Sequence, residues 1–251
     1  MRAVILVAGR GTRLRATTEM PKCLLAPGGT ALIDRYVTQL DSLGVAATVV
    51  VGFRGDAVSR RLTELAPRHA PTVVTNSDYE LGSILSLARG LDGFTGDLLL
   101  MDGDVLFDPE LLRRLVRAPH GNALLVDVGT AFTGEEYMAG IDAGRVTELR
   151  RAAVPRHESS GEWVGFARLD APAVAALRDA IAVRIAAGET GGGYEDALAS
   201  ILGACDLRCV GTEGLPWIEI DFPEDARRAE ALLLTVRRDG EEQGQYGHEL
   251  G

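Results

Sequence analysis

The sequence contains little lysine, little cysteine and no long apolar run. Lysine occurs once, at Lys22, among 26 basic residues. The three cysteines are Cys23, Cys205 and Cys209, and an odd, scattered set does not make a disulfide framework. No nearby histidine completes a zinc site with Cys205 and Cys209. No apolar run reaches the ~20 residues of a membrane span, so we expect no membrane partner.

The charge balance is acidic. Asp and Glu number 36 against 26 Lys and Arg, which gives a formal net charge of -10. Because a general nucleic-acid binder needs a basic face, we expect no nucleic-acid partner. A hydrophobic content of 46% in 251 residues excludes wholesale disorder. The N-terminus passes directly from apolar residues into glycine and arginine, which is unlike a signal peptide, so we expect a cytoplasmic protein.

Strand and helix patterns alternate along residues 3–118. Continuous apolar runs at 3–8, 47–51 and 98–101 are typical of buried parallel strands, and the segments between them have helical spacing. After residue 121 the strands are shorter, with a hairpin turn predicted at 142–145. These patterns predict an α/β fold with a Rossmann-like, doubly wound, mostly parallel sheet and a smaller antiparallel subsheet in the second half.

We predict a single domain over residues 1–238, in two halves, 1–120 and 121–238. The final residues, 239–251, are polar and glycine-rich. We expect this tail to be mobile.

A glycine-rich loop follows the first strand, in the segment Ala8–Leu14 (AGRGTRL). Glycines let backbone N–H groups approach an anion closely, and Arg13 and Lys22 add full charges that suit a polyphosphate. The phosphate-loop pattern GxxxxGK[ST] is absent, and GxGxxG is absent because position 14 is leucine. A simple tight turn is the alternative for this loop. The single lysine favours anion binding, since an ammonium group is a compact charge that a guanidinium does not replace.

Two further segments end strands with acidic residues. Met101-Asp102-Gly103-Asp104 presents two carboxylates, which suit Mg²⁺ but also fit a polar turn before a helix. In Trp217–Asp221 (WIEID), alternation places Glu219 and Asp221 on one face. Two such acids repel unless a cation or proton separates them, and an edge strand with a solvated face is the alternative.

These segments resemble the nucleotidyltransferase superfamily that makes activated sugars and alcohols. The resemblance rests on AGRGTRL, on PKCLL at 21–25, on GGTALI at 28–33, on the Gly-Asp step at 103–104 and on the E-x-D strand. Ala31 stands where the family usually has proline, and RATT at 15–18 also departs from its pattern. The E-I-D form is similar to the cytidylyltransferases that act on phosphocholine, inositol phosphate and phosphonates.

The resemblance implies roles for individual residues. It implies that the first half binds the nucleotide and that the second half holds the acceptor and metal. It implies catalytic roles for Lys22, Arg13 and Asp104, and a Mg²⁺ site made of Asp104, Glu219 and Asp221. The implied nucleotide-binding residues are Leu6, Ala8, Gly9, Arg10, Gly11, Thr12, Asn76, Gly82, Ser83 and Ser86; ordinary helix capping is the alternative for Ser83. The implied acceptor-binding residues are Arg151, Trp163, Tyr194 and Glu195.

The resemblance therefore implies transfer of a nucleotidyl group, with CTP or another NTP and a small phosphate or phosphonate acceptor as partners. The alternatives are a sugar-1-phosphate or molybdopterin nucleotidyltransferase and, from another class, a non-catalytic nucleotide-sensing module. The sequence leaves the oligomeric state open.

Overall fold

The computed structural model describes residues 1–11, 13 and 19–233. Thr12, the departure from the family pattern at 15–18 and the predicted tail 239–251 lie outside these residues. In the part of the chain that is described, no helix has both the length and the apolar character needed to cross a bilayer.

Helices and strands alternate through the first half, as the periodicity predicts. The helices are α1 (Leu32–Ser42), α2 (Gly55–Leu65), α3 (Ser83–Gly90), α4 (Pro109–Arg117), α5 (Ala171–Ala186) and α6 (Glu195–Ser200). Residues 223–233 are also helical. The first strands are β1 (Arg2–Val7), β2 (Ala46–Val51), β3 (Thr72–Thr75), β4 (Leu98–Asp102) and β5 (Val105–Phe107). The later strands are β6 (Ala123–Val128), β7 (Met138–Asp142), β8 (Arg145–Arg150), β9 (Ser159–Leu169), β10 (Arg208–Gly211) and β11 (Trp217–Glu219).

Local sequence explains several element boundaries. Asp108 caps α4 by accepting a hydrogen bond from the Glu110 N–H at 2.8 Å, with Pro109 in the first turn. The predicted hairpin turn lies between β7 and β8, where Ala143 and Gly144 both have positive φ. Ser83 does not cap α3, because Gly82 occupies the N-cap position.

The main sheet has nine strands in the order β3-β2-β1-β4-β9-β6-β10-β8-β7. The pairs of β1 with β2, β1 with β4 and β2 with β3 are parallel, but β9 lies antiparallel between β4 and β6. The α/β class agrees with the prediction, whereas the sheet is mixed rather than mostly parallel. The antiparallel strands join this sheet instead of forming a separate subsheet, because β9 inserts next to β4. Rossmann-like winding stays a prediction.

Helices cover both faces of the sheet. In β1, Ala3, Ile5 and Val7 pack with α1, α2 and α4, whereas Val4 packs with α3, α5 and α6. Both faces of β1 are therefore buried, which explains the continuous apolar run in its sequence. A second, two-stranded sheet pairs β5 with β11 antiparallel beside the carboxyl end of β4. This small sheet positions the acidic residues of the site.

Candidate active site

Lys22 lies beside the glycine loop that follows β1. Gly11 has φ of +58°, and a Cβ atom at this position would stand 3.0 Å from the Lys22 Cγ. The absence of a side chain at Gly11 therefore lets the Lys22 stem pack against the loop backbone. Lys22 begins a short 3₁₀ turn, Lys22–Leu24, after Pro21. The sequence-predicted lysine and glycine loop are thus in direct contact.

Asp104 lies in a tight turn between β4 and β5. Gly103 is required there because a Cβ atom would stand 2.2 Å from Val7 Cγ1. The fully buried Tyr36 holds both ends of this turn through its hydroxyl group. That hydroxyl lies 2.6 Å from the Asp102 carbonyl oxygen and 2.8 Å from the Val105 carbonyl oxygen, and it accepts a hydrogen bond from the Val105 N–H. Tyr36 was not predicted from sequence to belong to the site.

Pairing of β11 with β5 brings the other two acids to Asp104. Glu219 pairs with Val105, and the Ile220 N–H donates to the Asp104 carbonyl oxygen at 2.9 Å. Asp104, Glu219 and Asp221 each offer a carboxylate oxygen, and these three oxygens lie within 4.8 Å of one another. The geometry brings the three predicted metal ligands together. Their metal binding stays a prediction.

Two cations compensate this acidic cluster. Lys22 Nζ donates to Asp104 Oδ2 at 2.9 Å and also bonds Asp221. Arg13 Nη1 donates to Asp221 Oδ2 at 2.6 Å, and Arg13 Nη2 lies 2.5 Å from Glu135 Oε2. Lys22 and Arg13, both predicted from sequence as catalytic residues, thus contact the predicted metal ligands.

The pKa values in the cluster follow from this arrangement. Burial disfavours charge on Lys22, but the charges of Asp104 and Asp221 outweigh it, so the pKa of Lys22 is raised. Burial also disfavours charge on Asp221, but Lys22 and Arg13 lower its pKa. The pKa of Glu219 is raised to about 8, because the surrounding protein reduces its hydration and Asp104 and Asp221 repel a third charge. A cation between these groups would favour the ionised form of Glu219.

Asp102 is a carboxylate next to this cluster that the predicted metal set did not include. The Tyr194 hydroxyl lies 2.8 Å from its Oδ1 and 2.9 Å from its Oδ2. Gly165, with φ of +88°, admits Asp102, since a Cβ atom there would lie 2.6 Å from Oδ2. Burial, followed by the charge of Asp104, raises the pKa of Asp102 well above its ordinary value. Its surroundings therefore disfavour the ionised form of Asp102.

The predicted nucleotide residues differ in accessibility. Asn76 is fully buried, and its side chain donates to Ser86 Oγ at 2.9 Å and accepts from the Asp78 N–H. Ser83 Oγ accepts from the Tyr194 N–H at 3.1 Å. The polar side chains of Asn76, Ser83 and Ser86 thus have partners within the protein, and nucleotide contacts by these residues stay a prediction.

The other predicted nucleotide-binding residues lie at the end of β1, in the glycine loop that follows it, or just before α3. Leu6 is half-buried and Ala8 is buried, and the Ala8 carbonyl oxygen accepts from the Phe53 N–H at 3.0 Å. Gly9 and Arg10 are exposed, and the Arg10 guanidinium pairs with Glu80 at 2.7 Å. Gly82 closely approaches the 190–192 loop, because a Cβ atom there would stand 1.8 Å from the Thr190 carbonyl oxygen.

A cleft of about 620 Å³ opens from the acidic cluster. Arg151, Trp163 and Glu195, which were predicted from sequence to bind the acceptor, line this cleft. Tyr194 is almost fully buried behind it, where its ring packs edge-on against Trp163. Among the described residues, nine acidic residues and two arginines, Arg151 and Arg228, line the cleft. The acids are Asp102, Asp127, Glu135, Glu136, Glu162, Glu195, Glu219, Asp221 and Asp225.

The chain is similar in sequence to known nucleotidyltransferases. Residues 3–190 match the model of the MobA-like NTP transferase domain. The chain is 30% identical over 238 residues to a bifunctional IPC transferase and DIPP synthase of Rubrobacter xylanophilus, covering 92% of this chain and 52% of that protein. It is 28% identical over 258 residues to CMP-5'-(3-aminopropyl)phosphonate synthase of Streptomyces rubellomurinus, covering 94% of this chain and 39% of that protein. The chain thus spans about half or less of these relatives' lengths.

Solved structures share the fold at lower identity. The CTP:phosphocholine cytidylyltransferase of Streptococcus pneumoniae has a TM-score of 0.76 and 20% identity, covering 92% of this chain and 98% of that chain. The inositol-1-phosphate CTP transferase of T. maritima has a TM-score of 0.70 and 19% identity, covering 92% of this chain and 94% of that chain. The resemblance inferred from the sequence motifs is confirmed: the chain belongs to the family of MobA-like NTP transferase domains.

Proposed function

We propose that this protein is a Mg²⁺-dependent cytidylyltransferase that moves CMP from CTP to an oxygen of a small phosphate or phosphonate, with release of pyrophosphate. One observation carries the proposal: Asp104, Glu219 and Asp221 converge from two elements, and Lys22 bonds two of them beside the glycine loop. Converging carboxylates next to an ammonium group and a glycine loop suit a triphosphate with its divalent cation.

The donor set fits magnesium. Asp104, Glu219 and Asp221 supply only carboxylate oxygens, the ligands that a hard divalent cation prefers, and their spacing allows one ion to contact all three. The pKa of Glu219 is raised because burial disfavours its charge and because Asp104 and Asp221 repel it. A bound divalent cation would offset this repulsion. When bound, Mg²⁺ would neutralise charge on the phosphate oxygens.

The chain's own residues position the reactants. Lys22 and the amides around Gly11 bind the triphosphate, and Arg13, exposed enough to reach a ligand, supplies a second full charge. An oxygen of the acceptor forms a bond to the α-phosphorus of CTP. The bond from that phosphorus to the bridging oxygen breaks, and pyrophosphate leaves with the electron pair. The attacking oxygen is already ionised near neutral pH, so the reaction needs no general base.

The relatives support the choice of CTP and of a phosphate-bearing acceptor. The names of the phosphocholine, inositol-1-phosphate and aminopropylphosphonate enzymes combine a cytidine nucleotide with a phosphate or phosphonate compound. These compounds are named for the related proteins. For this chain, the shared fold and the acidic cluster are the reasons to expect the same chemistry.

A pyrophosphate-release assay tests the proposal. The protein would be incubated with Mg²⁺, each of the four NTPs, and phosphocholine, inositol 1-phosphate, 3-aminopropylphosphonate or glucose 1-phosphate. We expect release with CTP and at least one of the first three acceptors, and none when EDTA is added. A preference for another NTP with glucose 1-phosphate would assign a sugar nucleotidyltransferase. Binding of CTP without turnover of any acceptor would instead assign a nucleotide-sensing module.

A further inference from the structure

Three carboxylates on one side of the cleft have no cationic partner among the residues that the structure describes. They belong to Asp127 on β6, Glu162 on β9 and Glu136 in the loop before β7, and we call them the acidic wall. Asp127 and Glu162 are directly paired across the two strands. Like charges in that position destabilise a sheet unless something compensates them. Among the residues that the structure describes, no lysine, arginine or histidine forms an ion pair with any of the three.

Neutral donors hold two of these carboxylates in place. Asp127 accepts hydrogen bonds from the Thr212 hydroxyl at 2.5 Å, the Trp217 Nε1–H at 3.1 Å and the Thr130 hydroxyl at 3.1 Å. Glu136 accepts from the Thr133 N–H at 2.9 Å. These bonds fix the positions of the carboxylates but add no positive charge. Asp127 and Glu136 are thus held in place at the cleft without a compensating charge.

The pKa values of Glu136 and Glu162 reflect the uncompensated negative charge of the wall. Burial alone would raise the pKa of Glu136, but the Thr133 hydroxyl and nearby backbone N–H groups lower it to about 2, so Glu136 is ionised. Burial and the charges of Glu136 and Asp127 raise the pKa of Glu162 to about 7. An added cation at the wall would lower that pKa and relieve the repulsion.

A second observation in the same cleft points to a ligand. Glu195 Oε2 is buried and has no hydrogen-bond partner within the described part of the chain, although the residue lines the cleft. The Tyr137 hydroxyl lies near it, since a Cβ atom added at Gly193 would contact both groups, at 1.9 Å from Glu195 Oε2 and 3.3 Å from the hydroxyl. Buried polar atoms in native proteins are normally bonded. An unbonded carboxylate oxygen lining a cleft is therefore consistent with a donor supplied by the substrate.

Arg151 and Arg228, the arginines that line the described cleft, form no ion pair with the wall. Arg228 pairs with Asp225 at 3.2 Å. Arg151 donates from Nε to the Glu135 carbonyl oxygen at 2.8 Å, and its guanidinium lies over the Tyr137 ring. The tyrosine and two tryptophans that line the cleft, Tyr137, Trp163 and Trp217, add aromatic surface, which also favours a cation.

From this arrangement we infer that the acceptor carries an ammonium group, which the carboxylates of Asp127, Glu136 and Glu162 bind. The inference rests on the proposed function and narrows its substrate class. The acceptor is a small zwitterion whose phosphate or phosphonate lies at the Lys22 end of the cleft, next to the bound CTP, while its amine contacts the acidic wall. The uncharged polyol part of a polyol phosphate would displace water from three carboxylates without compensating their negative charge, which is unfavourable.

Matched acceptors test the charge directly. Phosphocholine is paired with 3,3-dimethylbutyl phosphate, and 3-aminopropylphosphonate with butylphosphonate, so each pair differs in the ammonium group. Dissociation constants are measured by calorimetry with Mg²⁺ and a non-hydrolysable CTP analogue, and kcat/KM by pyrophosphate release. We expect the cationic member of at least one pair to bind about 100-fold more tightly. The two pairs distinguish a quaternary from a primary ammonium group.

A charge-removing variant tests the residues. Glu162→Gln keeps the shape and is expected to raise KM for the cationic acceptor about tenfold, with kcat and the KM of the neutral partner little changed. Glu64→Gln removes the same charge from an exposed position on α2 outside the cleft and serves as the control. Equal weakening of both acceptors by Glu162→Gln would show that Glu162 does not select for charge.

The outcomes distinguish failure of the ammonium inference from failure of the proposed cytidylyltransferase reaction. Turnover of CTP with equal affinity for the charged and neutral acceptors overturns the ammonium inference and leaves the cytidylyltransferase proposal standing. Absence of turnover with every acceptor overturns the proposed reaction. In that case, calorimetric preference for the cationic compounds still decides whether the acidic wall binds ammonium groups.

Discussion

Two groups of carboxylates lie in or beside one cleft and differ in how their charge is compensated. At one end, Asp104 and Asp221 share Lys22, and Arg13 bonds Asp221 as well. Along the acidic wall, Asp127 and Glu136 are held by hydroxyl, indole and backbone donors that carry no charge. Among the described residues, the first group has cationic partners, whereas the second has none. This difference is the reason for our proposal that the two groups contact opposite ends of a substrate that carries both charges.

The largest effect is expected at the compensated end. Asp104→Asn removes a carboxylate from the candidate metal set while keeping the shape of the turn. We expect the single-turnover rate of CMP transfer to fall about 1000-fold, because charge stabilisation on the phosphates is lost. Asp56→Asn, on the exposed surface of α2, is the control. A wild-type rate in Asp104→Asn would show that this residue does not belong to the active site. The functional difference drawn between the Lys22-paired carboxylates and the acidic wall would then be wrong.

Replacing Lys22 tests how the compensated end is balanced. We expect Lys22→Ala to reduce turnover about 100-fold, and Lys22→Arg to restore little, because the lysine stem packs closely on Gly11. Without Lys22, Asp104 and Asp221 repel each other, so added Mg²⁺ should raise the melting temperature of Lys22→Ala more than that of the wild type. Arg60→Ala removes an exposed cation as the control. Equal Mg²⁺ effects on both proteins would mean that Lys22 and the ion do not share carboxylates.

Tyr36→Phe tests the support beneath the cluster. The variant loses the hydroxyl that joins the Asp102 and Val105 backbone, so stability should fall by about 1–3 kcal/mol. We expect the Mg²⁺ concentration for half-maximal rate to rise several-fold, while the rate at saturating Mg²⁺ stays near that of the wild type. A purely structural role would lower the melting temperature without moving the Mg²⁺ dependence.

The smallest effect concerns a third set of acids, at the β7–β8 hairpin, whose cation depends on pH. His157 lies 2.8 Å from Glu148 Oε2 and 2.7 Å from Asp142 Oδ2, and these bonds raise its pKa. The stabilisation should be complete below the ordinary histidine pKa of about 6.5 and should disappear as pH rises through the raised value.

Urea unfolding between pH 5.5 and 9 measures this effect. The stability difference between wild type and His157→Gln should be greatest at low pH and should shrink as pH rises. The exposed His120, replaced by glutamine, is the control. A difference that does not change with pH would show that the hairpin acids need no cation from His157.

Local patterns predicted much of the first half of the fold. The apolar run of β1 and the helical spacing of apolar residues in α1 are strong local signals, and both elements are present in the structure. The strands β5 and β10 were not predicted, because they have only three and four residues and are stabilised by distant partners. The antiparallel insertion of β9 beside β4 was also not predicted, since strand order depends on pairing between residues far apart in sequence.

The site divides in the same way. The convergence of Asp104, Glu219 and Asp221 was inferred from short motifs that resemble a known family. The acidic wall has no such motif, because its members lie on two separate strands and a loop that only the folded sheet brings together. Tyr36 was not predicted either, because the hydrophobic periodicity of α1 gives no information about the contacts of its hydroxyl group.

The most direct test of the central claim is anomalous diffraction from crystals of this protein grown with Mn²⁺ and a non-hydrolysable CTP analogue. The account predicts an anomalous peak in contact with Asp104, Glu219 and Asp221, with the triphosphate bonded to Lys22 and the loop at Gly11. A metal and triphosphate bound elsewhere, with Lys22 still holding Asp104 and Asp221, would contradict it.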